Sequence, residues 1–255
     1  MTEPVRLTLE RDGQLARLTL ARPKANVLDA AMVGALRRHL ASLQARGPLK
    51  LIVLDADGPH FSFGASVEEH LPDRVQGMLT GFHALFRELE GLGVPTAAVV
   101  RGQCLGGGFE LATAAGRVFC DESARFAVPE IRLGVFPPVA AVTLPWRVRG
   151  PDAIQLILSG STLNGLEATR LGVADVCVED PAAALLSWFD ADLAPRSAVA
   201  LRYAWRATRR PFAAALGAEL DAAEKTYLNE LMAASDPVEG LRAFLERRPP
   251  TWGHQ

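Results

Sequence analysis

Two carboxylates stand in stretches that otherwise read as buried. Glu110 lies in "RGQCLGGGFELATAAG" (101–116), an apolar run opened by three consecutive glycines. Glu130 lies in "FAVPEIRLGVFPP" (126–138), bracketed by Pro129 and apolar residues. Hiding an unpaired carboxylate costs several kcal/mol, so each acid is at a surface, paired or used. A pair of glutamates in apolar surroundings suits general acid and base work, because burial lifts a Glu pKa toward neutrality. Each also has a plainer alternative. Glu110 could be a first-turn acid that favours its helix dipole, and Glu130 could form an ion pair with Arg125 or Arg132.

Gly106, Gly107 and Gly108 let the backbone turn sharply out of a strand and let a ligand approach the main chain. The free N–H groups at the helix start then face outward, with the positive end of the dipole behind them. A second loop, "PHFSFGASVEEH" (59–70), offers another backbone donor around Gly64-Ala65-Ser66. Two donors from neighbouring strand ends can hold a carbonyl oxygen that becomes negative during reaction. The glycines match neither a P-loop nor a dinucleotide-binding fingerprint. His60, His70 and His83 lack metal-ligand spacing, no GxSxG elbow exists, and Cys104 has no neighbouring base. Arg202, Arg206 and Arg209 share one helical face, a solvated face on the simplest reading and an anion contact on the other.

The elements that must position these groups alternate. "VRLTLERDGQLARLTLARP" is a hairpin about Asp12-Gly13. "DAAMVGALRRHLASLQARG" puts Met32, Leu36, Leu40 and Leu43 on one helical face, with Asp29 to cap and Gly47 to end it. "LKLIVLDADG" and "VPTAAVVRG" are buried strands separated by the amphipathic "HLPDRVQGMLTGFHALFRELEGLG". Shorter β-like pieces fall at 117–120 and 124–127, and helical patterns around 140–148, 152–158 and 166–171. Strands alternating with helices imply an α/β fold with parallel units. From about Pro181 only helices follow, with "SAVALRYAWRATRR" and "PFAAALGAELDAAEKTYLNELMAA" read as two segments meeting at Pro211. The expected division is a catalytic core over 1–190 and a helical region over 191–255. The apolar stripe of that region (Ala215, Leu216, Leu220, Tyr227, Leu228, Leu231) must bury against the core or a neighbouring subunit.

With 255 residues, 49% apolar and 22% charged, the chain reads as a globular protein with room for one large core. A formal charge of −2 with dispersed basic residues points away from nucleic acid and membrane surfaces. Three cysteines without CxxC spacing point away from a disulfide framework and from zinc; no metal is expected. A reducing, cytoplasmic setting is the expectation, since the N-terminus carries no signal-like pattern.

"FSFGAS", "GQCLGGGFELA" and "FAVPEIRLGV" resemble, in order and spacing, motifs of the enoyl-CoA hydratase/isomerase (crotonase) superfamily, and "RPKANVLDAAM" resembles its N-terminal motif. The resemblance implies a crotonase (ClpP-like) fold, repeated ββα units forming a spiral core with a C-terminal helical region. It implies an acyl-CoA thioester substrate, no cofactor beyond the coenzyme A that the substrate carries, and a homotrimer or dimer of trimers. By position, the N–H groups of Ala65 and Gly107 match the oxyanion hole, and Glu110 and Glu130 the two catalytic glutamates. Lys24, Ala25, Asn26, Val27, Ser66 and Val67 match contacts to coenzyme A. Gly64, Gly106, Pro129, Phe136, Pro137, Pro138 and Val139 fall beside the substrate on the same matching.

Two departures stand out. Ser66 replaces the usual Asp, and "GVFPPVAAVTLP" (134–145) replaces a glycine-rich loop with a stiffer apolar wall. These segments, with "YLNELMAASDPVEGLRAFLERR", are similar to one branch, the cyclohexa-1,5-diene-1-carbonyl-CoA hydratases of anaerobic aromatic degradation. That branch adds water across the conjugated system to give 6-hydroxycyclohex-1-ene-1-carbonyl-CoA. The alternatives are a generic trans-2-enoyl-CoA hydratase of fatty-acid oxidation, a double-bond isomerase, for which one base suffices, and a non-catalytic crotonase-like binding protein, which would leave both glutamates unexplained.

Overall fold

The computed structural model describes residues 3–44 and 46–255. β1 (Val5–Glu10) and β2 (Leu15–Leu20) form the expected antiparallel hairpin, Val5 facing Leu20 and Glu10 facing Leu15. Arg11, Asp12 and Gly13 in the loop all adopt positive φ, which Asp-Gly accommodates at low cost. α1 (Ala30–Leu43) starts where Asp29 Oδ1 accepts the Met32 N–H at 2.8 Å, and it buries the predicted Met32, Leu36, Leu40 and Leu43. It ends before Gly47, with Gln44 as its cap.

β3 (Leu51–Ala56) adds parallel to β2, α2 (Val75–Gly91) follows, and β4 (Thr96–Val100) adds parallel to β3. β5 (Gln103–Leu105), α3 (Gly107–Ala114), β6 (Arg117–Cys120) and β7 (Arg125–Ala127) come next. Then follow α4 (Pro138–Thr143), α5 (Gly150–Ser159), β8 (Leu163–Asn164), α6 (Gly165–Leu171) and β9 (Val176–Cys177). α7 (Pro181–Trp188), α8 (Ala198–Asn229) and α9 (Ser235–Leu245) complete the chain.

The strands make two layers. A six-stranded sheet has the order β1-β2-β3-β4-β6-β9, parallel throughout except for the first pair. A smaller sheet, β5-β7-β8, is continued by single bridges between Leu28 and Ala65 and between Ser62 and Cys104. Each turn of the chain therefore runs from a long strand to a short extended piece in the second layer and then to a helix. This ββα spiral corrects the simpler βαβ expectation from alternation. β5, β8 and β9 have two or three residues each, too few for a period-2 pattern to register.

The main sheet is covered on both faces, as its apolar strands require. On one side α1, α2 and α3 share a core with the sheet; on the other Leu185, Phe189 and Leu193 pack on Leu51, Val53, Val99 and Phe119. Phe212, Leu216 and Leu220 of α8 enter the first of these cores. α8 does not break at Pro211 but runs through it for 32 residues, with the proline exposed. Of its arginine face only Arg206 is exposed as expected; the other two are bound to the core. Arg202 donates to the carbonyls of Gly47 and Leu49 at 3.1 Å, and Arg209 pairs with Glu90 at 2.8 Å while donating to Ala114 O at 2.9 Å. Among the described residues no helix is long and apolar enough to cross a membrane.

Candidate active site

The two acids meet at one cavity of about 700 Å³. Glu110 sits in the first turn of α3 and is 3% exposed. Its Oε1 accepts the Ala140 N–H at 2.8 Å. That donor is free because Ala140 lies in the first turn of α4, where backbone amides have no intrahelical acceptor. Glu130 lies in the short 3₁₀ turn Pro129–Leu133, and its Oε2 is sealed from solvent with no partner among the described residues. Neither arginine proposed as its partner pairs with it, although Arg132 lines the same cavity. Arg132 donates to Gly160 O at 2.9 Å, and Arg125 donates to Glu122 O and Ala124 O at 2.9 and 2.8 Å.

Burial drives both carboxyls upward against the opposing hydrogen bonds. Glu110 is pushed up to about 7 by desolvation, and Glu130 to about 8 by desolvation and by the charge of Glu110. Groups poised there exchange protons near neutral pH.

The donor pair is equally definite. Gly106 precedes α3 with φ +48°, and a Cβ on it would stand 2.5 Å from Glu130 Oε1. Gly64 has φ +98°, and a Cβ there would meet Leu105 O at 2.8 Å and Gly107 N at 3.4 Å. A Cβ on Gly107 would lie 3.1 Å from Ala65 N. The Ala65 and Gly107 amides are thus side by side, and no acceptor among the described residues takes either. Glycine at 64 and 106 is what allows this approach, because positive φ and the close contact both exclude a side chain.

Most residues singled out in the sequence reach this cavity. Gly64, Ala65, Ser66, Val67 and Val27 line one side, Gly106, Gly107 and Glu110 the floor, and Pro129, Glu130, Phe136, Pro137 and Pro138 the other side. Four do not. Val139 is fully buried in the core behind the wall. Lys24 and Ala25 lie outside the lining, and the Ala25 carbonyl is taken by Phe63 N–H at 2.8 Å. Asn26 is buried and spends its side chain on Arg22 N, Asp57 O and His60 O. It pins a loop in which Lys24 and Asn26 both have positive φ.

Sequence reasoning missed several contributors. Ser62 is fully buried; its Oγ donates to Asn26 O at 2.8 Å and accepts the Gly64 N–H at 3.0 Å, which sets the Ala65 amide. Met78, Leu79 and Phe82 from α2 and Leu241, Phe244 and Leu245 from α9 complete an apolar lining. Nothing local marks these as different from ordinary core residues. His70 lines the cavity too, with Nδ1 donating to Ser66 O at 2.7 Å and burial lowering its pKa. His60 and His83 are structural: His60 Nδ1 accepts Gln103 N–H, and His83 is clamped to Glu224 at 2.6 Å. Among the described residues no group of three His, Cys, Asp or Glu side chains could hold a metal ion.

The enoyl-CoA hydratase/isomerase family profile matches residues 10–255. The chain is 50% identical over 251 residues to cyclohexa-1,5-dienecarbonyl-CoA hydratase of Thauera aromatica, covering 98% of this chain and 97% of that one. The chain belongs to the enoyl-CoA hydratase/isomerase family. It is 30% identical to carnitinyl-CoA dehydratase of Salmonella enteritidis PT4, with 99% of both chains covered. A solved enoyl-CoA hydratase from Mycobacterium avium superposes with a TM-score of 0.85 at 26% identity, covering 99% of this chain and 100% of that one. The fold is therefore the crotonase spiral, and the protein is an acyl-CoA hydratase. The polar groups of the cavity are few and convergent, the pattern of a pre-formed ligand site.

Proposed function

We propose that this hydratase adds water to cyclohexa-1,5-diene-1-carbonyl-CoA, giving 6-hydroxycyclohex-1-ene-1-carbonyl-CoA in the anaerobic breakdown of aromatic acids. The observation that carries the reading is the juxtaposition of two buried carboxylates with an unused pair of amides in one apolar cavity. The relative in Thauera aromatica supports the ring-shaped acyl group, as does the rigid wall begun by Pro137 and Pro138.

The thioester oxygen would sit between the Ala65 and Gly107 N–H groups. Water oxygen bonds to the ring carbon β to the carbonyl while a carboxylate takes one of its protons. The electron pair moves through the carbonyl carbon to oxygen, forming a dienolate that the two amides hold. The pair then returns, and a carboxylic acid delivers a proton to the far end of the former diene. One double bond remains beside the carbonyl carbon, and the new hydroxyl lies on the other side. Each amide donor is worth about 3–4 kcal/mol to such a step.

We assign Glu110, fixed by the Ala140 amide, to orienting and activating water, and Glu130, the less tethered acid, to passing the proton. Coenzyme A arrives as part of the substrate, and no further cofactor is called on. A homotrimer or dimer of trimers is the proposed assembly.

The test is hydration of cyclohexa-1,5-diene-1-carbonyl-CoA beside crotonyl-CoA, with products followed by mass. Turnover of the cyclic diene that collapses in both Glu110→Gln and Glu130→Gln is the expected result. Hydration of crotonyl-CoA alone would assign a linear enoyl substrate instead.

A further inference from the structure

Tyr227 is a buried polar residue near the site that the proposed reaction leaves unused. It lies near the C-terminal end of α8, is 1% exposed, and its hydroxyl has no partner among the described residues. Phenylalanine would fill the same place in the apolar stripe without leaving a phenol O–H uncompensated, and a dry, unpaired donor is destabilising. The ring packs with Leu79 and Val135 and stands 5.3 Å, centroid to centroid, from Phe136; all three neighbours line the cavity. The segment carrying Val135 and Phe136 follows directly from Glu130, whose own carbonyl accepts the Val135 N–H at 3.2 Å. Glu130 Oε2 is a buried acceptor without a partner among the described residues. One buried donor and one buried acceptor thus flank the same stretch of wall.

We infer that Tyr227 is a positioning residue for Glu130, its O–H supplying the hydrogen bond which that carboxylate takes when it is ionised. The inference rests on the assignment of Glu130 to proton transfer above. A proton carrier alternates between a neutral form, which apolar surroundings tolerate, and a charged form, which they do not. The phenol gives up no proton in this role. Burial, then the charges of Glu130 and Glu110, raise its ionisation above the ordinary range, so it stays a donor at every working pH.

The other charged and titratable groups around Glu130 are committed or of the wrong sign. Glu110 is held by Ala140 N–H, Arg132 by Gly160 O and His70 by Ser66 O. Glu68 on the cavity wall adds negative charge, Arg242 of α9 is exposed, and Asp152 of α5 pairs with Arg149. His83 of α2 also has an unpaired nitrogen, Nε2. Its Nδ1–H is donated to Glu224 and burial lowers its pKa, so in the neutral ring Nε2 is an acceptor.

The experiment uses the full-length enzyme and whichever thioester wild type hydrates, cyclic diene or crotonyl-CoA. Wild type, Tyr227→Phe, Tyr227→Leu and Glu130→Gln are compared by kcat and KM from pH 5.5 to 9.5, with thermal melting as the fold control. Tyr227→Phe keeps the ring, so it should melt no lower than wild type and hold KM within about twofold. Its kcat should fall about tenfold, and the limb of the pH profile that Glu130 sets should move up by about one unit, because the ionised form has lost its donor. Tyr227→Leu, which also removes the support of Phe136, should in addition raise KM. Wild-type kcat and an unmoved profile in Tyr227→Phe, with Glu130→Gln inactive, would reduce Tyr227 to packing and overturn the inference alone. A fully active Glu130→Gln would overturn the assignment of Glu130 and Tyr227 together.

Discussion

Glu110 and Glu130 differ in what holds them, and the difference sets separate expectations. Glu110 is tied to a backbone amide, whereas Glu130 has an oxygen with no partner, yet both are raised toward or past neutrality by burial. Each therefore binds its proton more tightly folded than unfolded. Their contribution to stability is present in full below the ordinary value of 4.5 and is lost as pH rises through about 7 and 8. Melting temperature should fall between pH 5 and pH 9, and the Glu110→Gln/Glu130→Gln double variant should flatten that fall, gaining on wild type by a few degrees at pH 9 and little at pH 5. A difference that is constant across pH would show that neither carboxyl is under strain. Gly106→Ala should be costly in a different way. Its Cβ would meet Glu130 Oε1 at 2.5 Å, and φ +48° with ψ −124°, outside the left-handed helical well, adds about 1–3 kcal/mol of backbone strain. We expect kcat to drop at least ~100-fold, consistent with a misplaced proton carrier, with melting lowered by only a few degrees; an unchanged kcat would mean that Glu130 need not sit where it does.

At the scale of elements, the sequence pattern and the structure part company where tertiary packing outweighs local preference. A proline inside a helix costs about 3 kcal/mol, and Pro211 should have ended one. α8 continues because Phe212, Leu216 and Leu220 are buried on one side of Pro211 and Arg202 and Arg209 are clasped to the core on the other. Pro211 itself is exposed, so Pro211→Ala removes no packing and restores one backbone donor. Stability should rise by about 1–3 kcal/mol, read as a higher urea midpoint at unchanged slope. A lower midpoint would show that the proline fits a bend the fold needs. The short strands of the second layer escaped notice for the opposite reason: at two or three residues they are made by pairing with neighbours and carry no periodic signal.

For the whole molecule, exposed apolar side chains bear on assembly. Trp146, Ile154, Leu158, Val199 and Tyr203 are each more than half exposed. The proposed trimer or dimer of trimers would cover such surface. Light scattering of the purified protein should give three or six times the chain mass, and Ile154→Asp/Leu158→Asp should shift it toward the monomer. A wild-type monomer at micromolar concentration would exclude the assembly.

The sequence by itself determined the hairpin, the capped α1, the buried β3 and β4, and the two acids set in apolar runs. These follow from local chemistry: Asp-Gly accepts a turn, Asp29 accepts Met32 N–H, and an acid in an apolar run demands an explanation. Only the tertiary structure decided which groups meet. Ala140 N–H reaches Glu110 across 30 residues, Ser62 fixes the Ala65 amide from inside the core, and α2 and α9 supply cavity wall from segments indistinguishable from ordinary amphipathic helices. It also separated Val139 and Asn26, one sealed in the core and one spent on its own loop, from neighbours that face the cavity. Hydrogen bonds and burial between residues far apart in sequence depend on the closure of the ββα spiral, and a pattern read along one segment contains no record of that closure.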